Sequence, residues 1–252
     1  MNFCLPGAIQ SEQGRSSIRR TLDLAGTFAR AFALFFCLAL FAGCQTGPPR
    51  EHRNFRRPDL VEITNLDAAI RLDIRYATSN NFLHRPVYKQ ARAFLQRPAA
   101  EAVVRANRAL KPKGYGLMIF DGYQPWDITK LFWDSASDYE RKIQFVANPK
   151  RGSRHNRGCA VDLTLYDLQT GNEVPMPSEY DEFSERAFPT YQGGTAEARA
   201  LRDLLRQAME AEGFKVYKAE WWHFDFNGWK EYPIMNAQFE DVGALSRERL
   251  KP

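Results

Sequence analysis

One apolar run divides this chain. Residues 31–42, from Ala31 to Ala42, carry no charged side chain, yet the run is well short of the roughly 20 residues a helix needs to cross a bilayer. Arg15, Arg19, Arg20 and Arg30 precede it, and it ends in Leu40-Phe41-Ala42-Gly43-Cys44. Basic residues, a short apolar segment and small residues before a Cys make an export signal of the lipoprotein kind. Residues 1–43 are therefore expected to be a signal peptide, with Cys44 the acylated first residue of the mature chain. Residues 44–57, rich in Pro, Arg and Gly, then read as a flexible tether and residues 58–252 as the folded domain. The protein would be exported and lipid-anchored in the cell envelope, facing the periplasm from the outer membrane if the cell is Gram-negative. A plain secretory signal or a buried core helix are the alternatives, and Arg19-Arg20 alone is a weak sign of twin-arginine export.

The composition of the 252 residues, 44% hydrophobic and 26% charged, excludes a disordered chain and a coiled coil. Without residues 1–43 the balance is 31 Lys and Arg against 28 Asp and Glu, which gives no reason to invoke nucleic acid. Of the four cysteines, Cys4 and Cys37 lie in the leader and Cys44 would be lipidated, so Cys159 has no disulfide partner. Stability must come from the core. Cys159 itself, two residues before an apolar strand pattern, reads as a small buried residue and not as a nucleophile.

No internal repeat or long linker interrupts the chain after Pro58, so a single domain is the economical reading. Residues 59–63 and 71–76 resemble short strands. Pro98 opens a helix at a position where its missing N–H costs nothing, and Ala102, Val103, Ala106, Ala109 and Leu110 repeat at helical spacing until Pro112 and Gly114 stop it. Residues 116–120 read as a buried strand, and a second helix from Pro125 carries Ile128, Leu131 and Phe132 on one face. Residues 159–165 alternate, with Val161, Leu163 and Leu165 on one side and Asp162 and Thr164 on the other, the pattern of a half-buried strand. Leu201, Leu204, Leu205, Ala208 and Met209 define a third helix closed by Gly213, before strands at 214–217 and 221–226. The sum is an α+β domain, a mostly antiparallel sheet with helices packed against it.

Two of the four His lie beside acidic residues, in Ser153-Arg154-His155-Asn156-Arg157-Gly158-Cys159-Ala160-Val161-Asp162 and in Glu220-Trp221-Trp222-His223. Catalytic zinc takes three ligands of the His and carboxylate kind and keeps a fourth position open. His155, Asp162 and His223 would supply that set, and Glu220, three residues from a ligand, stands where a general base is needed. A regular strand puts residues three apart on opposite faces, so the chain must bend or bulge at Trp221 and Trp222 if both side chains are to converge. Spacing alone leaves open the alternative of hydrogen-bonded His and solvated carboxylates.

The full string narrows this. Ser153, His155, Gly158, Ala160 and Asp162, with Glu220, Trp222 and His223, resemble the zinc motifs Ser-x-His-x-x-Gly-x-Ala-x-Asp and Glu-x-Trp-His of the VanX-type D-alanyl-D-alanine dipeptidases, within the wider D,D-carboxypeptidase group of zinc peptidases. The resemblance covers about Val61 to Pro233 and includes Arg75-Tyr76-Ala77-Thr78, Asn81-Phe82, Asp121-Gly122-Tyr123, Val174-Pro175-Met176 and Tyr180-Asp181. It implies one zinc ion per chain on His155, Asp162 and His223, Glu220 as acid and base, Asp181 with Tyr76 near the free amine of a small dipeptide substrate, and Ser153 in the pocket wall. One departure stands out. The family's Asp-Gly-Tyr-Arg-Pro reads Asp121-Gly122-Tyr123-Gln124-Pro125 here, so Gln124 occupies the place of an arginine that the family uses to steady the developing oxyanion. Loss of one oxyanion donor typically costs about 10²- to 10³-fold in rate. A slower enzyme, a replacement by Arg154 or Arg157, or a shifted substrate would each follow.

The expected activity is zinc-dependent hydrolysis of D-alanyl-D-alanine or a related D,D-dipeptide. The alternatives are a D,D-carboxypeptidase or endopeptidase on longer peptidoglycan peptides, and a non-catalytic zinc-stabilised binding lipoprotein, against which the intact Glu220 argues. Nothing in the sequence sets the oligomeric state.

Overall fold

A computed structural model of the protein describes residues 47–242. The expected signal peptide and Cys44 lie outside the described residues, and among those described no helix is long and apolar enough to cross a membrane.

Two sheets organise the domain. Strands β1 (Leu60–Glu62) and β3 (Phe94–Gln96) form an antiparallel pair, with Val61 opposite Leu95. The main sheet holds β2 (Arg71–Leu72), β4 (Tyr115–Asp121), β5 (Ala160–Asp167), β6 (Phe214–Tyr217) and β7 (Glu220–Phe226), in the order β2-β4-β5-β7-β6. Only β2 and β4 pair in parallel, so the sheet is mostly antiparallel.

Helix α1 (Arg97–Leu110) follows β3, with Pro98 in its first turn and Gly114 closing the chain at φ +88 after the short turn Lys111–Lys113. Helix α2 (Trp126–Ser135) and the short α3 (Asp138–Lys142) follow β4. Helix α4 (Ala196–Ala211) is capped by the Thr195 side chain, which accepts from the Ala198 N–H. Helices α1 and α4 touch each other and the sheet. Their apolar stripes, Ala99, Ala102, Val103 and Ala106 on one and Leu201, Leu205 and Met209 on the other, join Val161, Leu163 and Leu165 of β5 in one core.

Three local expectations change. β5 is buried along nearly its whole length instead of on one face, because it is the central strand with neighbours on both sides and both faces covered. The strand expected over residues 71–76 stops at Leu72. Beyond it the chain turns through Arg75–Ala77, where the Arg75 guanidinium pairs with Asp73 at 2.8 Å and Glu173 at 2.9 Å and lies 4.4 Å from the Phe120 ring centre. On α2 the buried residues are Trp126, Thr129 and Phe132, with Ile128 and Leu131 only half-buried, since the Thr129 hydroxyl is held in an internal polar network.

The expected flexible tether is fastened down over part of its length. Glu51 pairs with Arg157 at 2.6 Å and accepts from the Ile234 N–H at 3.0 Å, while Arg56 donates its N–H to the Glu231 carbonyl and pairs with the Glu231 side chain. A buried guanidinium costs too much to leave without a counter-charge, and Glu51 supplies the counter-charge for Arg157.

Candidate metal centre

In the β5–β7 ladder Asp162 lies directly opposite His223, so strand pairing alone brings two candidate ligands together. His155 arrives from the turn His155–Arg157 just before β5, which Gly158 closes at φ +65. A Cβ at position 158 would come within 2.5 Å of Leu60 Cδ2, so both the left-handed backbone and the close packing require glycine there. His155 Nε2 stands 3.3 Å from Asp162 Oδ1 and 3.1 Å from His223 Nδ1, which is 3.1 Å from the same oxygen.

The outer hydrogen bonds fix which nitrogen faces inward. His155 Nδ1 is 2.7 Å from the Gly122 carbonyl, which can only accept, so it carries the proton. His223 Nε2 likewise donates to Asp225 Oδ1 at 2.9 Å. In the neutral rings, lone pairs of His155 Nε2, His223 Nδ1 and Asp162 Oδ1 then converge, and Asp162 Oδ1 is buried without a hydrogen-bond donor. Such a trio needs a shared proton or a cation. Burial opposes charge on His223, but the Asp225 and Asp162 carboxylates outweigh it and carry the imidazole well above its ordinary range. Asp162, despite burial, is held well below its ordinary range by the two imidazoles. A metal fits better: four ligands at about 2.0–2.1 Å in a tetrahedron lie about 3.3 Å apart, close to the separations found here. His155, Asp162 and His223 are a group placed to hold a metal ion. Tyr180 completes it, donating its hydroxyl to Asp162 Oδ2 at 3.0 Å.

The strand irregularity required by the Glu220 and His223 spacing is present. Val216 of β6 faces Phe224 of β7, but the next residue, Tyr217, faces Glu220, so residues 221–223 bulge past a single step of the partner strand. Glu220 Oε2 thereby comes within 3.7 Å of His223 Nδ1. Burial pushes the Glu220 carboxyl up to about 7.

The remaining expected site residues share the same cleft, of about 560 Å³, with this group. Tyr76 donates its hydroxyl to Asp181 Oδ2 at 2.9 Å, and its ring sits among Phe82, Tyr88, Phe132 and Tyr180. Asp181 adopts φ +58, a left-handed conformation that Asp tolerates better than most side chains. Its carboxyl is raised well above the ordinary range by burial and by Asp162. The Ser153 hydroxyl accepts from the His155 N–H at 3.2 Å. Gln124 is buried and donates to Thr129 Oγ1 at 2.6 Å. Of its two suggested stand-ins, Arg157 is occupied by Glu51 and the Tyr232 carbonyl, and Arg154 pairs with Asp225 at 3.0 Å.

Sequence reasoning missed three contributors: Asp225, Tyr180 and the Gly122 carbonyl. Asp225 had a signal, because residues two apart on a strand share a face and Asp225 is two beyond His223. A carbonyl oxygen has none.

The chain is similar to known proteins over most of its described length. A family model described as D-ala-D-ala dipeptidase, Peptidase_M15, matches residues 56–243. The chain is 31% identical to the D-alanyl-D-alanine dipeptidase of Escherichia coli K12 over 72% of its own length and 91% of that protein's. It is 34% identical to the D-alanyl-D-alanine dipeptidase of Enterococcus faecium, over 68% of this chain and 91% of the relative. Among solved structures, that of the LdcB LD-carboxypeptidase covers 78% of this chain and 76% of its own, with 20% identity and a TM-score of 0.40. The chain belongs to the D-Ala-D-Ala dipeptidase family of M15 peptidases.

Proposed function

We propose that this protein is a zinc-dependent dipeptidase that hydrolyses D-alanyl-D-alanine or a closely related D,D-dipeptide. The observation that carries the reading is the convergence of three lone pairs, on His155, Asp162 and His223, with a buried carboxylate beside them. Two imidazoles and one carboxylate are a donor set suited to zinc with an open position, and the family membership fixes the class of peptide.

His155, Asp162 and His223 would hold the zinc ion, and the chemistry it would supply when bound is Lewis acidity towards the peptide carbonyl and the attacking water. Glu220 does the proton work. Its buried carboxylate accepts the proton of the attacking water on Oε2 and returns it to the leaving nitrogen. Asp181, oriented by the Tyr76 hydroxyl, receives the substrate's free ammonium, and that incoming charge offsets the burial that otherwise keeps its carboxyl protonated. Ser153 lines the wall beside the ligand-bearing turn. With Gln124 in place of an arginine, the oxyanion loses a charged donor and turnover is slower than with the family's usual set.

Export and anchoring through Cys44 belong to the same proposal. They rest on the basic, apolar and small-residue pattern of residues 15–44, and would place a dipeptidase where wall-derived dipeptides arise. Metabolic labelling with a fatty acid, lost in Cys44→Ala, tests them.

The test of activity is a hydrolysis panel of D-Ala-D-Ala, L-Ala-L-Ala and a tripeptide ending in D-Ala-D-Ala, with and without zinc. Cleavage of the D,D-dipeptide that requires zinc and is abolished in Glu220→Ala supports the proposal. Activity retained in that variant would remove Glu220 from its role.

A further inference from the structure

His223 and His155 are held in different ways. His155 rests against a backbone carbonyl, which the chain fixes in place, whereas His223 rests against a side chain, Asp225, which must itself be fixed. Asp225 Oδ1 accepts from His223 Nε2 at 2.9 Å, and its other oxygen, Oδ2, faces Arg154 Nη1 at 3.0 Å. A carboxylate tied through one oxygen can still swing about its Cβ–Cγ bond, and a second tie on the other oxygen removes that freedom. The guanidinium is in turn set against the Trp229 ring, 4.7 Å from its centre. Arg154 is also the residue immediately before His155. One short turn therefore supplies the first imidazole directly and, two contacts further on, the brace of the second.

We propose that Arg154 is a positioning residue for the metal centre, acting through Asp225 to hold the His223 ring with Nδ1 presented to the metal. This rests on the metal reading given under Proposed function. Partners of a ligating imidazole typically contribute 10- to 100-fold in metal affinity, and a residue that acts by fixing such a partner inherits part of that effect.

Chelator competition on the full-length protein tests it, measuring zinc affinity for the wild type, Arg154→Ala, Arg154→Lys, Asp225→Asn and the double variant Arg154→Ala/Asp225→Asn, with the melting temperature of each metal-free protein alongside. Arg154→Ala and Asp225→Asn are each expected to weaken zinc binding about 10-fold or more. The double variant should be no weaker than the worse single, because the two residues work as one chain. Arg154→Lys should recover part of the loss, since an ammonium can still pair with Asp225. A purely structural arginine would lower the metal-free melting temperature and leave the affinity of the folded protein alone. Wild-type zinc affinity in Arg154→Ala, or losses that add in the double variant, would overturn the inference. So would a raised KM for D-Ala-D-Ala at unchanged zinc affinity, which would make Arg154 a substrate contact. A wild-type protein that takes up no zinc would overturn the metal reading itself and this inference with it.

Discussion

The side-chain amide of Gln124 donates to Thr129 Oγ1 at 2.6 Å, and the same hydroxyl oxygen accepts from Asn156 Nδ2 at 2.7 Å. Asn156 follows the candidate ligand His155 and also donates to the Gln124 carbonyl at 2.9 Å. Gln124, at the place where the resemblance puts the family's arginine, is thus built into the support of the turn that carries His155 instead of being free to swing over the substrate. Gln124→Arg restores a cation to the cleft wall. Turnover of D-Ala-D-Ala is expected to rise about 10-fold or more at unchanged zinc content. An unchanged or lower kcat would show that the site has been rebuilt around Gln124.

Glu220 couples activity and stability with opposite signs. Its carboxyl lies at about 7 in the folded, metal-free protein against an ordinary value of 4.5, with burial the leading cause. The folded state therefore binds the proton more tightly than the unfolded state. The contribution of Glu220 to metal-free stability is greatest below pH 4.5, falls as pH rises towards 7 and is flat above, a change of roughly 1–3 kcal/mol from this group. Glu220→Gln removes that slope, so its metal-free form should melt higher than the wild type at pH 8 while showing no hydrolysis. In the wild type, kcat/KM should decline on the acid side as the base becomes protonated. A Glu220→Gln protein that melts below the wild type at pH 8 would contradict the burial argument.

Much of this was legible in the order of residues, and what was not has physical causes. Helix α1 was readable because Pro98, a stripe of Ala and Val, and Gly114 act locally. The alternation around Asp162 put the correct residues on each face of β5, but burial of both faces depends on which strands lie beside it, which a single strand does not encode. β2 ended early because the Arg75 guanidinium is drawn to Glu173, almost a hundred residues away. The candidate ligands were suggested by residue type and singled out by the resemblance of the full motif, since spacing alone left hydrogen-bonded His and solvated carboxylates open. Their supports were not readable, apart from Asp225 on the alternation rule, because Tyr180 and the Gly122 carbonyl reach the site through tertiary packing alone.

Cys159 supplies a probe of that packing. It is a free, fully buried thiol, pushed up to about 12 by burial, and it sits where β5 begins. Only the thiolate is nucleophilic, so in a Cys4, Cys37 and Cys44→Ser background the native protein should resist alkylation at pH 8. The same protein in denaturant should react completely. Rapid labelling without denaturant would mean that the start of β5, and with it the turn bearing His155, opens readily.

Asp181 is the group that would make the cleft select a free amine. Asp181 is half-buried, its carboxyl is bonded to the Tyr76 hydroxyl, and desolvation raises it well above the ordinary range, an environment where an uncompensated charge is costly and an arriving ammonium is therefore favoured. Asp181→Asn keeps the shape and most of the hydrogen bonding but removes the charge. For D-Ala-D-Ala, KM is expected to rise about 10-fold or more, the usual scale for a buried charged hydrogen bond. N-acetyl-D-Ala-D-Ala, which has no ammonium, should be a poor substrate for the wild type and should lose little further in the variant. Tyr76→Phe should produce a smaller rise in KM, because it frees the carboxylate without neutralising it. Equal effects of Asp181→Asn on the free and acetylated dipeptides would show that Asp181 shapes the cleft without recognising the amine.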